Sequence, residues 1–129
     1  MDAPAVAVSR DGKKFAAAWM DQRVGGNNRR VYWTMTSGGT FGRESALAEI
    51  AKGIQGHPAI TIDSTGAFHA AWEDFRSDAQ RIYYRTPEGK DVPLSPERGK
   101  ASFPSLACGK VVGVAFEYGD NAVFVTAPP

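Results

Sequence analysis

The sequence predicts an all-β chain of about three four-stranded antiparallel sheets packed side by side. Three observations lead there: an internal repeat, a second segment in each copy that is apolar on both faces, and 14 Gly with 8 Pro among 129 residues. Gly and Pro at that density, without a collagen-like period, mean many tight turns and hence short strands. At about 100–200 residues per domain, the chain is one domain or a piece of one. Fifteen Lys and Arg against fourteen Asp and Glu leave a net charge of +1, and 22% charged with 43% hydrophobic residues is ordinary globular composition. That balance argues against a nucleic-acid partner. A single cysteine, Cys108, forbids an intramolecular disulfide. Neither it nor His57 or His69 sits in a cluster with zinc-ligand spacing, so no metal or cofactor is expected.

The first copy of the repeat reads Pro4-Ala5-Val6-Ala7-Val8, then residues 15–23 (FAAAWMDQR), then Arg30-Val31-Tyr32-Trp33. The second reads Pro58-Ala59-Ile60-Thr61-Ile62, then residues 68–76 (FHAAWEDFR), then Arg81-Ile82-Tyr83-Tyr84. A weaker third reads Pro104-Ser105-Leu106-Ala107-Cys108, residues 112–118 (VGVAFEY) and Val123-Phe124-Val125. The prolines are 54 and 46 positions apart, close to the period of about 40–50 residues of propeller blades. The blades fall at about residues 3–50, 56–100 and 102–127 of a single segment, 1–129.

Each copy offers three strands, with turns at Asp11-Gly12, Gly25-Gly26-Asn27-Asn28, Thr65-Gly66 and Gly119-Asp120-Asn121 between them. Fourth strands are expected around residues 45–50 and 91–95. Residues 44–52 also have helical propensity, since Ala, Leu and Glu are good helix formers; the reading adopted is strand. Residues 15–20 and 68–72 do not alternate, so both faces are covered. Their alanines let neighbouring sheets approach, while Trp19, Trp72 and Phe116 fill wider spaces. Stacked propeller blades fit this better than the alternative, a two-layer β-sandwich with chance internal similarity.

The pattern Pro-Ala-x-x-x, a Gly turn, Ala-Trp-x-Asp-x-Arg, then Ile-Tyr-Tyr-Arg resembles the sialidase-like β-propellers with bacterial neuraminidase repeats, usually six-bladed, across nearly the whole chain. Thr36-Ser37-Gly38-Gly39-Thr40-Phe41 is similar to a degenerate Asp-box, without the aspartate; the second copy has only Thr86-Pro87-Glu88-Gly89-Lys90 there. The resemblance implies half of a six-bladed ring. Catalytic members hold a carboxylate with three arginines, and use an aspartate acid and a tyrosine nucleophile beside a glutamate. The family's early Arg-Ile-Pro motif does not occur here, and Glu117 and Tyr118 are strand neighbours that point to opposite sides. The implied function is therefore a non-catalytic module binding a glycan or anionic ligand or serving assembly. The alternative is part of a sialidase-type glycoside hydrolase site completed by another chain or a missing remainder.

Candidate ligand-binding residues are Arg23, Arg76, Asp21, Asp74 and His57. The Asp-x-Arg pairs follow Trp19 and Trp72, at strand ends that the family geometry places on the ligand face. Two arginine forks can hold a carboxylate or sulfate. Equally, each Asp can pair with a nearby Arg, Arg30 or Arg81 included, and brace its loop; recurrence in two copies favours the brace. His57 enters the second copy's innermost strand on the same face, as an acid, base or solvated loop residue. His69 is expected to face a neighbouring sheet with its ring hydrogen-bonded. Tyr32, Trp33, Tyr83 and Tyr84 read as inter-sheet packing rather than sugar platforms. Arg23, Asn27, Asn28, Arg29 and Arg30 form a basic loop, and Cys108 reads as a small buried hydrophobe.

No apolar run approaches the roughly 18 residues of a membrane span, and residues 1–8 lack a signal-peptide pattern. The chain as given reads as soluble with no membrane partner; a leader replaced by Met1 would leave the same N-terminus, so the compartment, secreted and periplasmic included, stays open. Three copies cover half of a six-bladed ring, which leaves two apolar sheet faces uncovered. The expected partner is a second copy, in a homodimer that closes the ring.

Overall fold

The computed structural model describes residues 2–23, 25 and 28–128, with nothing said of the Asp2 side chain. Gly26 and Asn27, half of one expected turn and part of the basic loop, lie outside the described residues. Among those described there are twelve strands and no helix. The first sheet holds β1 (Asp2–Val8), β2 (Phe15–Asp21), β3 (Arg30–Ser37), β4 (Thr40–Phe41) and β5 (Ser45–Ala46). The second runs β6 (Gln55–Ile62), β7 (Phe68–Asp74), β8 (Arg81–Arg85), β9 (Asp91–Pro93), and the third β10 (Ala101–Cys108), β11 (Val112–Tyr118), β12 (Asn121–Thr126). All pairing within the sheets is antiparallel and, apart from β5, which pairs with β3, runs between neighbours in chain order.

The fourth strand takes three forms. In the second sheet it is β9, within the expected segment. In the first sheet it is split, because β4 and β5 both pair with β3 and Gly42-Arg43-Glu44 interrupts them. The third sheet stops at β12, as its shorter repeat suggests. Residues 47–50 are bends, neither the strand expected nor the helix considered. The β3–β4 hairpin turns on Gly38 and Gly39, whose φ of 60° and 84° put two consecutive residues in the left-handed region. A two-residue turn of that kind matches the twist of its strands and tolerates Gly best.

The sheets pack face to face, inner strand beside inner strand. β6 lies against β1 and β2 on one side and against β10 on the other. Between the first and second sheets Ala16, Ala18, Met20 and Val31 meet Ile60, Ile62, Phe68, Ala70 and Trp72. Between the second and third, Ala71 and Ile82 meet Val114 and Phe116. β7 is buried along its whole length, which explains its unbroken apolarity. Trp72 is fully buried in the first interface. Trp19 is also buried, at 8% exposure, but belongs to neither cluster, because it lies on the face of the first sheet turned away from the second. The stack does not close on itself.

One irregularity recurs. The register of each inner pair slips between Asp2 and Ala5, Gly56 and Ala59, and Ser102 and Ser105. Each slip is a bulge around an X-Pro step, and its pre-proline residue has positive φ: Ala3 at 46°, His57 at 44°, Phe103 at 52°. Proline cannot donate to a sheet ladder, and a bulge removes it from the ladder. Holding a non-glycine residue left-handed costs about 1–2 kcal/mol, and it survives only where its surroundings fix it.

Candidate functional site

Asp21, Arg23, Asp74, Arg76 and His57 all lie at the sheet end that carries the bulges. Tertiary bonds join the sheets there: the His57 N–H donates to Met20 Sδ (3.1 Å) and the Gln55 N–H to the Arg29 carbonyl (3.0 Å).

The two Asp-x-Arg motifs build the same brace. Asp74 accepts from Trp72 Nε1 (2.8 Å), from the Arg76 N–H (2.9 Å), and from Arg76 Nε (2.9 Å) and Nη2 (2.8 Å). Arg76 Nη2 also reaches Asp91 (2.8 Å), and the guanidinium lies 4.0 Å over the Tyr83 ring. In the first sheet Asp21 accepts from Trp19 Nε1 (3.4 Å), Arg23 Nε (3.1 Å) and Nη2 (2.6 Å). Arg23 bonds Glu44 and lies 4.0 Å over Tyr32. The stacking follows from register, since Trp19 faces Tyr32 and Trp72 faces Tyr83 across the strand pairs. Arg76 is one-tenth exposed and Asp74 is not exposed at all, against 37% and 16% for Arg23 and Asp21.

The charges follow this geometry. Hydrogen bonds from Arg23 lower the Asp21 pKa to about 2. Burial works against the charged Arg76, but the hydrogen bonds to Asp74 and Asp91 outweigh it and hold the guanidinium firmly protonated. Each arginine thus faces two carboxylates of its own chain. Arg30 and Arg81 bond neither aspartate: Arg30 donates to the Gly53, Ala51 and Arg29 carbonyls, and Arg81 donates to that of Ser95 (2.7 Å) while its guanidinium lies 5.8 Å from the Tyr83 ring centre. Glu44 and Asp91 were not singled out from the sequence. Their matched places, Glu44 directly before β5 and Asp91 at the start of β9, are the signal that points to them.

His57 is the outward member of a second arrangement. Its ring Nδ1 donates to Glu73 Oε1 (2.9 Å), and Glu73 Oε2 accepts the Phe103 N–H (2.7 Å). Glu73 is 7% exposed while His57 is 46% exposed, so a buried carboxylate ties together two bulges on neighbouring sheets. The Phe103 ring meets the His57 ring edge to face, centroids 5.0 Å apart, and is 56% exposed. Aligning Trp19 with Trp72 puts Met20 and Glu73 in one slot, and each accepts the N–H of the next sheet's pre-proline residue. Sequence reasoning passed over both Glu73 and Phe103.

At the opposite end, Tyr84 donates to His69 Nδ1 (2.6 Å) and His69 Nε2 to Asp63 (2.6 Å). Burial penalises the Asp63 charge, yet hydrogen bonds from His69, Thr65 and Ala67 outweigh it and hold its pKa well below the usual range. Burial pushes the Tyr84 phenol up to about 12. The ring of His69 is thereby satisfied on both nitrogens, as expected of a buried histidine. Glu117 is exposed on the outer side of β11, while Tyr118 donates to the Arg98 carbonyl (2.7 Å). No group of three or more His, Cys, Asp and Glu able to hold a metal occurs among the described residues. Compared with protein-family models and with curated proteins, the chain matches none.

Proposed function

We propose that the three sheets are blades of a sialidase-like β-propeller and that the chain is a non-catalytic recognition module. Its ligand is a glycan, held on the end that carries the three bulges. The observation that supports this reading is the recurrence of one strained backbone, at Ala3, His57 and Phe103, with a different side chain each time. Strain kept at equivalent points of three sheets, where only the side chain varies, is how a scaffold presents a recognition surface. The exposed Phe103 ring offers a flat apolar face for a sugar ring, and His57, anchored by Glu73, offers Nε2 to a hydroxyl beside it. Arg23 and Arg76, with Asp21 and Asp74, shape the neighbouring loops rather than supply free charge.

Glycan-array binding of the purified chain tests this, with Phe103→Ala and His57→Ala as variants. Binding by the parent chain that falls about tenfold or more in Phe103→Ala supports it. Absence of any glycan binding, or binding that neither variant changes, overturns it. A fluorogenic sialoside run beside the array separates binding from hydrolysis.

A further inference from the structure

We infer that the exposed faces of the first and third sheets are one interface: the third sheet of one chain covers the first sheet of a second copy, and the same contact made twice closes the pair.

The interface between the first and second sheets shows what such a face takes. Through the repeat, Val6, Val8 and Phe15 hold the positions of Ile60, Ile62 and Phe68. In the second sheet those residues are 9%, 6% and 6% exposed because the first sheet covers them. In the first sheet they are 78%, 51% and 44% exposed. An apolar surface in the same register, with Val for Ile at two of the three positions, is thus dry in one sheet and wet in the other. On the opposite side of the molecule, Phe124 faces Ala115 across its strand pair as Trp33 faces Ala18. Trp33 stacks on Phe68 of the following sheet, centroids 4.2 Å apart and planes 15° from parallel. Phe124 is 70% exposed. The ring that should lie against it is the counterpart of Phe68, and that is Phe15. Glu117 likewise holds the slot from which Met20 and Glu73 accept an N–H of the following sheet.

The two open faces are therefore complementary to each other, not each to itself, and the contact runs head to tail. Head-to-tail contacts either close or grow into filaments. Closure with two chains, six sheets in all, rests on the propeller reading above, whereas the contact itself rests on the repeat alone. The chain exposes 7390 Å², about a tenth more than the ~6,700 Å² of a compact monomer of its mass.

Light scattering coupled to gel filtration tests it on the whole 129-residue chain with two variants, Phe15→Asp and Phe124→Asp. Both rings are surface-exposed, so circular dichroism should show the parent fold in each. The expected result is a species of twice 13.9 kDa for the parent at micromolar concentration and monomers for each variant alone. An equimolar mixture of the two variants regains association, because one of its two contacts is then of parent type on both sides. A monomeric parent, or dimers unaffected by either variant, overturns the interface. Mass that keeps growing with concentration overturns closure and the propeller reading with it, independently of whether the glycan array is positive.

Discussion

Asp21 and Asp74 carry the same motif at different depths, and depth decides what each is worth. Asp74 is wholly buried and accepts four hydrogen bonds from Trp72 and Arg76. Replacing it by alanine leaves a nearly buried guanidinium with Asp91 alone and strands the Trp72 indole N–H. Removing one partner of such a pair costs about 3 kcal/mol, and Asp74→Ala should show a loss of that order in denaturant unfolding. Asp21→Ala should cost clearly less, because solvent reaches its brace and screens it. The shallower brace should instead be visible in a titration. The folded-state pKa of Asp21, about 2, lies below its ordinary 3.8. Its ionised form therefore contributes stability above about pH 4, and the contribution is lost as pH falls through about 2. The indole N–H resonance of Trp19, which bonds this carboxylate, should shift with a midpoint near pH 2 in an NMR titration. A midpoint near 4 would show that the Asp21–Arg23 pair does not hold in solution.

At the level of the strand, the bulges and loops between sheets set the shape of the end that carries Asp21, His57 and Asp74. Phe103 has φ of 52° before a proline, a conformation that glycine adopts without steric penalty. Phe103→Gly should relieve about 1 kcal/mol of backbone strain and raise the melting temperature by about 4 °C, less what the ring's contact with His57 returns. If the bulge exists to present side chains, the same variant gains stability and loses glycan binding, a pairing that thermal melts and the array read together. Gly53 is the opposite case. Its φ is 72°, and a Cβ there would sit 2.3 Å from the Phe75 carbonyl oxygen, which is backbone and has little freedom to yield. Gly53→Ala should therefore destabilise by about 2 kcal/mol or more through strain and displaced backbone. The strands themselves were legible from alternation, from apolar runs and from Gly turns. The bulges were not, although each announces itself by a proline, because no local signal distinguishes a pre-proline residue in the extended region from one with positive φ.

Across the whole molecule, what the sequence made readable was the repeat, and with it the count and order of sheets. The brace residues Asp21, Arg23, Asp74 and Arg76 were legible for the same reason, since copies align and aligned residues do similar work. The partners Glu44, Asp91 and Glu73 were not, because each contact spans a sheet-to-sheet or outer-strand distance that depends on packing. The same aligned copies place Val6, Val8, Phe15 and Phe124, which stand in water, on the two open faces of the stack. If a second copy completes it, association and folding are one equilibrium, and stability must depend on concentration. A tenfold rise in concentration adds about 1.4 kcal/mol per mole of dimer. Two chains of 129 residues, at about 2.1 cal/mol/K per residue, unfold with an entropy near 0.5 kcal/mol/K. The melting temperature of the parent chain should then climb by about 2–3 °C per tenfold rise in protein concentration. Phe124→Asp, which removes the ring proposed to stack on Phe15, should melt at a concentration-independent and lower temperature. Calorimetry over two decades of concentration measures both, and a flat response in the parent would mean that the exposed faces stay uncovered in solution.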